Sequence, residues 1–302
     1  MDSVVVAWSP FETGALLWIA EDQDYFAQNG LQVTLRKYDT GVGSLNGVLN
    51  GEADIAMGLT EFPVVRRVFE KSGVRIIAAA ARVEQQYVVG RRDRGIDRVS
   101  DLRGKRIGTT LGTIAEFYLG RFLELNGMST HDVTVVDLKT PVEWENAVAD
   151  GFVDAIVTAQ PYAGLATRRL ADSAIIWPAQ GGQYIFGLVA PSQEWLGANP
   201  ELAVRFLRSL LQAEHYAARH PPEAEAIVQK TLGVDALFAE SSWTRGIFSL
   251  SLDHSLVVAM EDQARWMIRN GLTSEKQVPT FEDYIYDDAL KAVKPQAVNI
   301  IR

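Results

Sequence analysis

The stretch that decides the fold is residues 40–58, which read TGVGSLNGVLNGEADIAMG. Apolar residues at helical spacing occupy 45–49, stop at Asn50 and Gly51, and are followed by the short apolar run 55–57. This pattern predicts a helix, a tight turn and a buried strand.

The same pattern returns 100 residues later, in residues 140–157, TPVEWENAVADGFVDAIV. Asp54 and Asp154 hold the same place in the two copies, each three residues after a glycine. Upstream, Asn29-Gly30 and Asn126-Gly127 each precede an alternating apolar segment. Agreement over helix, strand and second helix predicts two lobes built alike.

Length and composition agree with this organisation. A chain of 302 residues exceeds what one core usually organises. We expect a first lobe of residues 1–85 plus 190–302 and a second lobe of residues 86–189. The contents, 47 % hydrophobic and 22 % charged, are those of ordinary globular domains. The net charge of −9 argues against nucleic acid as a partner, because DNA binding needs a clustered basic face.

Several site types are excluded by residue content. The chain has no cysteine, so disulfide frameworks, thiolate metal sites and cysteine nucleophiles are absent. The glycines of residues 41–47 form GxGxxxG, one residue longer than a dinucleotide fingerprint. The four histidines are scattered and predict solvated surface positions rather than a metal site: His131, His215, His220 and His254. We expect no catalytic residue, no metal and no cofactor.

Strand, loop and helix units place the starts of several helices at one edge of each lobe. Helix N-termini carry unpaired N–H groups and the positive end of the helix dipole, so such an edge suits anions. Four junctions fit, at residues 40–44, 60–61, 109–114 and 160–162. The alternative is that Ser44, Thr110 and Thr113 are plain N-caps. Four such junctions favour a binding edge.

Two further features have alternative explanations. Aromatic residues at strand ends or loop-to-helix junctions could wall an apolar or heterocyclic ligand: Trp8, Phe11, Trp144, Tyr162 and Tyr184. Packing explains Trp144 equally well. Glu61, beside the anion-binding edge, either pairs a cationic group of the ligand or accepts backbone N–H bonds.

Motifs along nearly the whole chain carry a family resemblance: Trp18-Ile19-Ala20, Tyr25-Phe26, Asn29-Gly30-Leu31, 50–55, 101–108, 151–155, Asn199-Pro200-Glu201 and His220-Pro221. Together they resemble the periplasmic substrate-binding proteins of ABC transporters for sulfonates, nitrate, taurine and thiamine-precursor pyrimidines. The resemblance implies a type II periplasmic-binding-protein fold, with two α/β lobes, a ligand cleft between them and extra C-terminal helices. Two crossings, at 84–89 and 185–190, would let the lobes close on a ligand.

The resemblance also implies where the ligand is contacted. The family's ligand loops correspond to Ser9, Phe11, Gly43, Ser44, Thr60, Glu61, Thr110, Thr113, Ile114, Gln160 and Tyr162. Trp8 and Tyr184 are further candidates, as aromatic residues at strand ends or junctions. Backbone N–H groups at Ser44 and Thr113 would hold a sulfonate. Glu61 would pair the amino group of a ligand such as taurine. A flat pyrimidine would stack on an aromatic ring of the loops.

The function that follows is capture of a small organic anion or zwitterion for an ABC permease, by a monomer. Thiamine-precursor binding and the ligand-sensing domain of a membrane receptor remain alternatives. Related desulfinases and fungal thiamine-pyrimidine synthases need cysteines, which this chain lacks. We expect a periplasmic or extracytoplasmic location. Met1-Asp2-Ser3 is no signal peptide, and a strand beginning at Val4 favours a leader that has been removed over a cytoplasmic chain.

Overall fold

The computed structural model describes residues 1–234, 243 and 246–301. The described chain forms two compact units. The first unit contains Met1–Val83 with residues 185–234 and 246–301, and the second contains Glu84–Tyr184.

The strands are numbered in chain order: β1 Asp2–Trp8, β2 Leu31–Lys37, β3 Ile55–Thr60, β4 Ala78–Val83, β5 Gln86–Arg91, β6 Arg106–Thr109, β7 Thr134–Asp137, β8 Ala155–Ala159, β9 Ala174–Pro178, β10 Ile185–Pro191, β11 Leu252–Asp253 and β12 Val298–Asn299.

The α-helices are numbered likewise: α1 Ala15–Asp22, α2 Tyr25–Gln28, α3 Gly41–Leu49, α4 Glu61–Phe69, α5 Ile114–Leu125, α6 Pro141–Ala149, α7 Tyr162–Leu170, α8 Gln193–Ala198, α9 Pro200–Arg219, α10 Pro221–Leu232, α11 His254–Arg269 and α12 Asp288–Val293. Short 3-10 turns lie at Glu12–Gly14, Arg92–Arg94, Val99–Leu102, Thr130–Asp132, Ala171–Ser173, Phe281–Tyr284 and Pro295–Ala297. Of the helices formed by residues 1–234 and 246–301, none is both long and apolar enough to cross a membrane.

The first unit is built on a five-stranded sheet in the order β2-β1-β3-β10-β4. Strands β1, β2 and β3 are mutually parallel, whereas β10 runs antiparallel to both β3 and β4. The carboxyl ends of β1 to β4 therefore share one edge of this sheet. β10 is buried along its whole length, as expected for a central strand covered on both faces.

The second unit repeats this topology with the order β7-β6-β8-β5-β9. Strand β6 is parallel to β7 and β8, and β5 runs antiparallel to β8 and β9. The carboxyl ends of β6, β7 and β8 again share one edge. The predicted mixed α/β fold with two similar halves is confirmed, and β5 holds the place that β10 holds in the first sheet.

The duplication extends to single hydrogen bonds. The carboxylate of Asp54 accepts the amide proton of Val5 at 2.7 Å, and its own amide donates to the Val5 carbonyl at 2.8 Å. Asp154 makes the same pair of bonds with Arg106, at 2.9 and 2.8 Å. The aspartate of each copy thus joins the turn after a helix to the parallel strand β1 or β6 of its own sheet.

The turn glycines explain why the two copies share an Asn/Asp-Gly pair. Gly51 and Gly151 both have φ +75°, in the left-handed region that side chains disfavour. A Cβ on Gly151 would also lie 2.2 Å from the guanidinium of Arg94. The glycine that ends each repeated helix is therefore required by backbone conformation.

The apolar spacing of the sequence predicts one helix over residues 16–28, a strand over 74–81 and one helix over 281–293, and these elements are shorter in the structure. The helix expected over residues 16–28 is divided into α1 and α2, because Asp24 adopts φ 57° between them. Of the strand expected over 74–81, only the part from Ala78 is regular. Within 281–293, a 3-10 turn and α12 replace one helix.

Helices after residue 199 pack onto the first unit. α9 lies against α1, α2 and α12, and Phe26 stacks on Phe206 with ring centroids 5.2 Å apart. α11 packs on α4, where Phe62 meets Trp266 edge to face at 6.0 Å. These aromatic contacts bury the apolar stripes that the sequence shows.

The outer edge of β4 is occupied by the segment 247–251. Ile247 and Arg82 exchange backbone hydrogen bonds at 2.8 Å, as do Ser251 and Ala79 at 2.8 and 2.9 Å. This segment therefore continues the sheet by an irregular antiparallel pairing.

Candidate functional site

The loop after β1 lies at the carboxyl edge of the first sheet. Ser9 is fully buried there, and its hydroxyl donates to the carbonyl of Gly58 at 2.5 Å. Gly58 has φ +68°, and a Cβ on it would lie 2.6 Å from the Ser9 carbonyl oxygen. Ser9 thus joins the ends of β1 and β3, and its hydroxyl keeps an acceptor lone pair.

The second junction of the first unit is the start of α3. Thr40 is the N-cap, and its hydroxyl accepts the amide of Gly43 at 3.2 Å. Ser44 donates its amide to the Thr40 carbonyl at 3.1 Å and its hydroxyl to the Gly41 carbonyl at 3.0 Å. The amide expected to hold a sulfonate is therefore already bonded within the helix. Gly41 and Val42 carry the amides that have no intrahelical acceptor.

Glu61 is the first residue of α4, directly after the N-cap Thr60, and its side chain is fully buried. Its carboxylate accepts the side-chain amide of Gln263 at 2.9 Å and the backbone amide of Phe186 at 3.1 Å. Burial raises the pKa of Glu61 to about 7, against these hydrogen bonds and its own amide, which lower it. Of the two roles considered for Glu61, the structure shows the acceptor of N–H bonds.

In the second unit, the corresponding edge carries the start of α5. Thr113 is the N-cap, its hydroxyl donating to the Thr110 carbonyl at 2.7 Å and accepting the Ala115 amide at 3.3 Å. The Thr113 amide points to the Thr110 carbonyl at 3.4 Å. Ile114 provides the first helical amide, which has no intrahelical acceptor.

Trp144 connects two of the predicted site residues of the second unit. Its indole N–H donates to the Thr110 hydroxyl at 2.9 Å and to the Leu138 carbonyl at 3.2 Å. Its ring meets Tyr162 edge to face, with centroids 5.3 Å apart. Trp144 is only 5 % exposed and packs against Thr110 and Tyr162, and its contact with a ligand stays a prediction.

Buried glutamines at the same edge were missed as a cluster. The side-chain oxygen of Gln180 accepts the backbone amides of Gln85 and Gln86 at 2.6 and 2.8 Å. The backbone amide of Gln160 donates to the Gln85 carbonyl at 2.9 Å, and its side-chain oxygen accepts the Gly164 amide at 3.2 Å. The sequence shows residues 84–86 only as a strand break, and no spacing connects them with Gln180.

The remaining aromatic candidates differ in exposure. Trp8 is 9 % exposed and packs edge to face on Trp18, with centroids 5.6 Å apart. Phe11 of the first unit is half-buried, and Tyr184 of the second unit is 42 % exposed. Trp8 therefore packs within the first unit, and contact of Trp8, Phe11 or Tyr184 with a ligand stays a prediction.

The histidines partly follow the prediction. His131, His215 and His220 are exposed, but His254 is half-buried at the start of α11, so a solvated surface position is wrong for it. Within residues 1–234, 243 and 246–301, no group of three His, Asp or Glu side chains could hold a metal ion.

Comparison with known proteins assigns this chain to a family. A sequence model described as NMT1/THI5 like matches residues 13–224, more than half of the chain. The chain belongs to the NMT1/THI5-like family. An aliphatic sulfonates-binding protein of Bacillus subtilis is 23 % identical over 222 residues. That match covers 72 % of this chain and 66 % of the Bacillus protein, slightly less than two thirds of its length.

Solved structures of other proteins share the fold of this chain. The alkanesulfonate-binding protein SsuA from Xanthomonas axonopodis pv. citri, bound to MOPS, has a TM-score of 0.82 at 18 % identity, covering 95 % of this chain and 99 % of that one. The desulfurization enzyme DSZB has a TM-score of 0.71 at 16 % identity, covering 98 % and 99 %. The predicted periplasmic-binding-protein fold is thereby confirmed.

Proposed function

We propose that this protein is an extracytoplasmic solute-binding protein that captures a small organic anion of the alkanesulfonate class for an ABC importer. One observation carries the proposal: in both units, a threonine-capped helix begins at the carboxyl edge of the parallel strands. The amides of Gly41, Val42 and Ile114 lie at these helix starts, where the helix dipole favours a sulfonate oxygen.

The relatives support the ligand class. The Bacillus relative is named for aliphatic sulfonates, and the Xanthomonas protein binds the sulfonate MOPS. Neither name mentions a pyrimidine, so a thiamine-precursor pyrimidine is not favoured. The hydroxyls of Thr40 and Thr113 orient the amides beside them through capping bonds. The prediction that one ligand contacts both edges stays a prediction.

Binding without turnover is part of the proposal. The desulfurization enzyme that shares the fold has been solved with biphenyl-2-sulfinic acid, in a variant that carries serine in place of a cysteine. This chain contains no cysteine anywhere, so it cannot supply a thiolate nucleophile. We further propose a monomer that acts in the periplasm and delivers its ligand to a membrane permease.

The test is titration calorimetry, with thermal unfolding in parallel, over ethanesulfonate, MOPS, taurine, nitrate and 4-aminopyrimidine. Acetate serves as the matched control, because it has the same charge but only two oxygens. A sulfonate present at 100 times its Kd should add about 2.7 kcal/mol to the free energy of unfolding. If only 4-aminopyrimidine binds, the ligand class is an aromatic heterocycle rather than a sulfonate. If no compound binds, the proposal is rejected.

A further inference from the structure

A pocket of about 790 Å³ with both polar and apolar lining lies in the first unit, at the outer side of β4. It is lined by residues from β4, from the segment 249–255 that leads into α11, and from the stretch 294–301. None of these residues belongs to the two sheet edges described above. The volume lies within the range of pockets for small organic ligands.

Three polar atoms of this pocket have no hydrogen-bond partner among residues 1–234, 243 and 246–301: Nε of Arg82, Oγ of Ser251 and Nδ1 of His254. Each of these atoms is buried, and the whole of Ser251 is only 9 % exposed. Buried polar atoms are nearly always bonded in folded proteins, so three in one pocket indicate a ligand that supplies the partners.

The groups offered to a ligand are chiefly donors. The Nε of Arg82 can only donate, and the Ser251 hydroxyl and the Nδ1 of His254 can do so in the appropriate rotamer and tautomer. His254 also begins α11, a helix of 16 residues, so its backbone amide and the positive end of the dipole face the same region. Such donors suit the oxygens of an anion.

The charges around the pocket leave room for an anion. The Arg82 guanidinium lies 3.5 Å from the carboxylate of Asp253, which also accepts the Ser255 amide as the N-cap of α11. Lys294 donates to the carboxylate of Glu214 at 2.5 Å and to a backbone carbonyl. Arg82 and Lys294 therefore balance the charges of Asp253 and Glu214. The start of α11 and the three unpaired atoms then favour an anion over a cation.

We propose that this pocket binds a small organic oxyanion, a carboxylate or a phosphate ester. The oxyanion would accept from Arg82 Nε and Ser251 Oγ at the start of α11, with His254 as a third donor. This site is additional to the proposed sulfonate site, and it does not depend on the ligand of that site.

The experiment titrates the full-length protein with inorganic phosphate, glycerol 2-phosphate and citrate by calorimetry. Ser251→Ala removes the hydroxyl, and Arg82→Lys keeps the charge while removing the Nε donor. We expect either change to raise the Kd of the organic anion by about tenfold, because each change removes one charge-assisted hydrogen bond. The matched controls are Ser100→Ala and Arg265→Lys, on exposed surface outside the pocket, which should change the affinity less than twofold.

Each outcome decides the proposal. Binding of citrate or glycerol 2-phosphate that is weakened about tenfold in both pocket variants and less than about twofold in both controls supports the proposal. No binding of either organic anion, or equal affinity in pocket and control variants, overturns it. Circular dichroism of each variant verifies folding, and Arg82→Lys alone suffices if Ser251→Ala is unstable. Sulfonate titration of the same variants should be unchanged, which separates this result from failure of the sulfonate proposal.

Discussion

Gln263 of α11 donates its side-chain amide to the buried carboxylate of Glu61 at the start of α4, across 2.9 Å. The two residues are 202 positions apart, so this bond ties the C-terminal helices to the first sheet edge. Phe186, at the beginning of β10, donates its amide to the other oxygen of the same carboxylate. A single carboxyl group therefore joins three elements of the first unit.

The raised pKa of Glu61 predicts that the protein loses stability as the pH rises. The ordinary pKa of 4.5 applies to the unfolded chain, whereas the folded value is about 7. Between these values the folded chain keeps a proton that the unfolded chain releases, so the free energy of unfolding falls with pH. The loss is complete just above pH 7 and amounts to something on the order of 3 kcal/mol.

Urea unfolding of Glu61→Gln and wild type, at about pH 5 and about pH 8, measures this contribution. The variant cannot ionise at this position, so its stability should fall less than that of the wild type over the interval. Glu223→Gln, on the exposed first turn of α10, is the control and should follow the wild type. Parallel pH profiles for wild type and Glu61→Gln would contradict the assignment.

Trp144→Phe should destabilise the second unit by about 1–2 kcal/mol, because it removes an indole donor from two buried acceptors. The acceptors are the Thr110 hydroxyl and the Leu138 carbonyl. Chemical unfolding followed by circular dichroism measures the change. Trp195→Phe, in a half-buried position on α8, is the comparison variant, and an equal loss there would show that the indole bonds contribute little.

Ile114 offers a way to test one backbone amide of the proposed sulfonate site. Proline is favoured at the first helical position, and the extended conformation of Thr113 before it (φ −105°, ψ 169°) is compatible with proline. Ile114→Pro removes both the backbone amide donor and the isoleucine side chain. Ile114→Ala shortens the side chain but keeps the amide donor. We expect Ile114→Pro to bind ethanesulfonate about tenfold more weakly than Ile114→Ala in calorimetry. Equal affinities would exclude this amide from the site.

The duplicated aspartates predict matched effects in the two units. Asp54→Ala and Asp154→Ala should each reduce the free energy of unfolding by about 1–3 kcal/mol, since each leaves a strand amide without its carboxylate acceptor. Asn retains an acceptor oxygen, so Asp54→Asn and Asp154→Asn should recover part of the loss. Urea titrations of the four variants give these values. The exposed Asp172→Ala should be neutral, and a loss there as large as at Asp54 would refute the interpretation.

The fold was predictable because the sequence has periodic apolar residues and repeats one helix–turn–strand pattern. The Asn/Asp-Gly turns at Gly51 and Gly151 follow from backbone conformation, and apolar periodicity shows which segments are helices or strands. The break at Asp24 was missed, because a left-handed aspartate leaves no apolar signal. The irregular start of β4 was missed for a similar reason, since a run of small apolar residues does not show where pairing begins.

The sequence predicted that helices begin at residues 40–44 and 109–114, but it did not predict the hydrogen bonds of the individual amides there. Hydroxyl residues before a helix indicate a capped N-terminus, yet Thr40 rather than Ser44 caps α3, and this decides which amides remain available. Sequence spacing could not show that Gln263 would reach Glu61 from 202 residues away. Long-range side-chain partners depend on tertiary packing, which single-sequence patterns do not contain.

The pairing of residues 247–251 with β4 has a consequence for the solubility of shortened chains. A strand whose outer N–H and C=O groups are open is a template for another molecule. Ile247 and Ser251 bond to those groups at Arg82 and Ala79 and so keep them from a second copy. A fragment ending before residue 246 would retain the five-stranded sheet but leave this margin uncovered, and it should self-associate through β4.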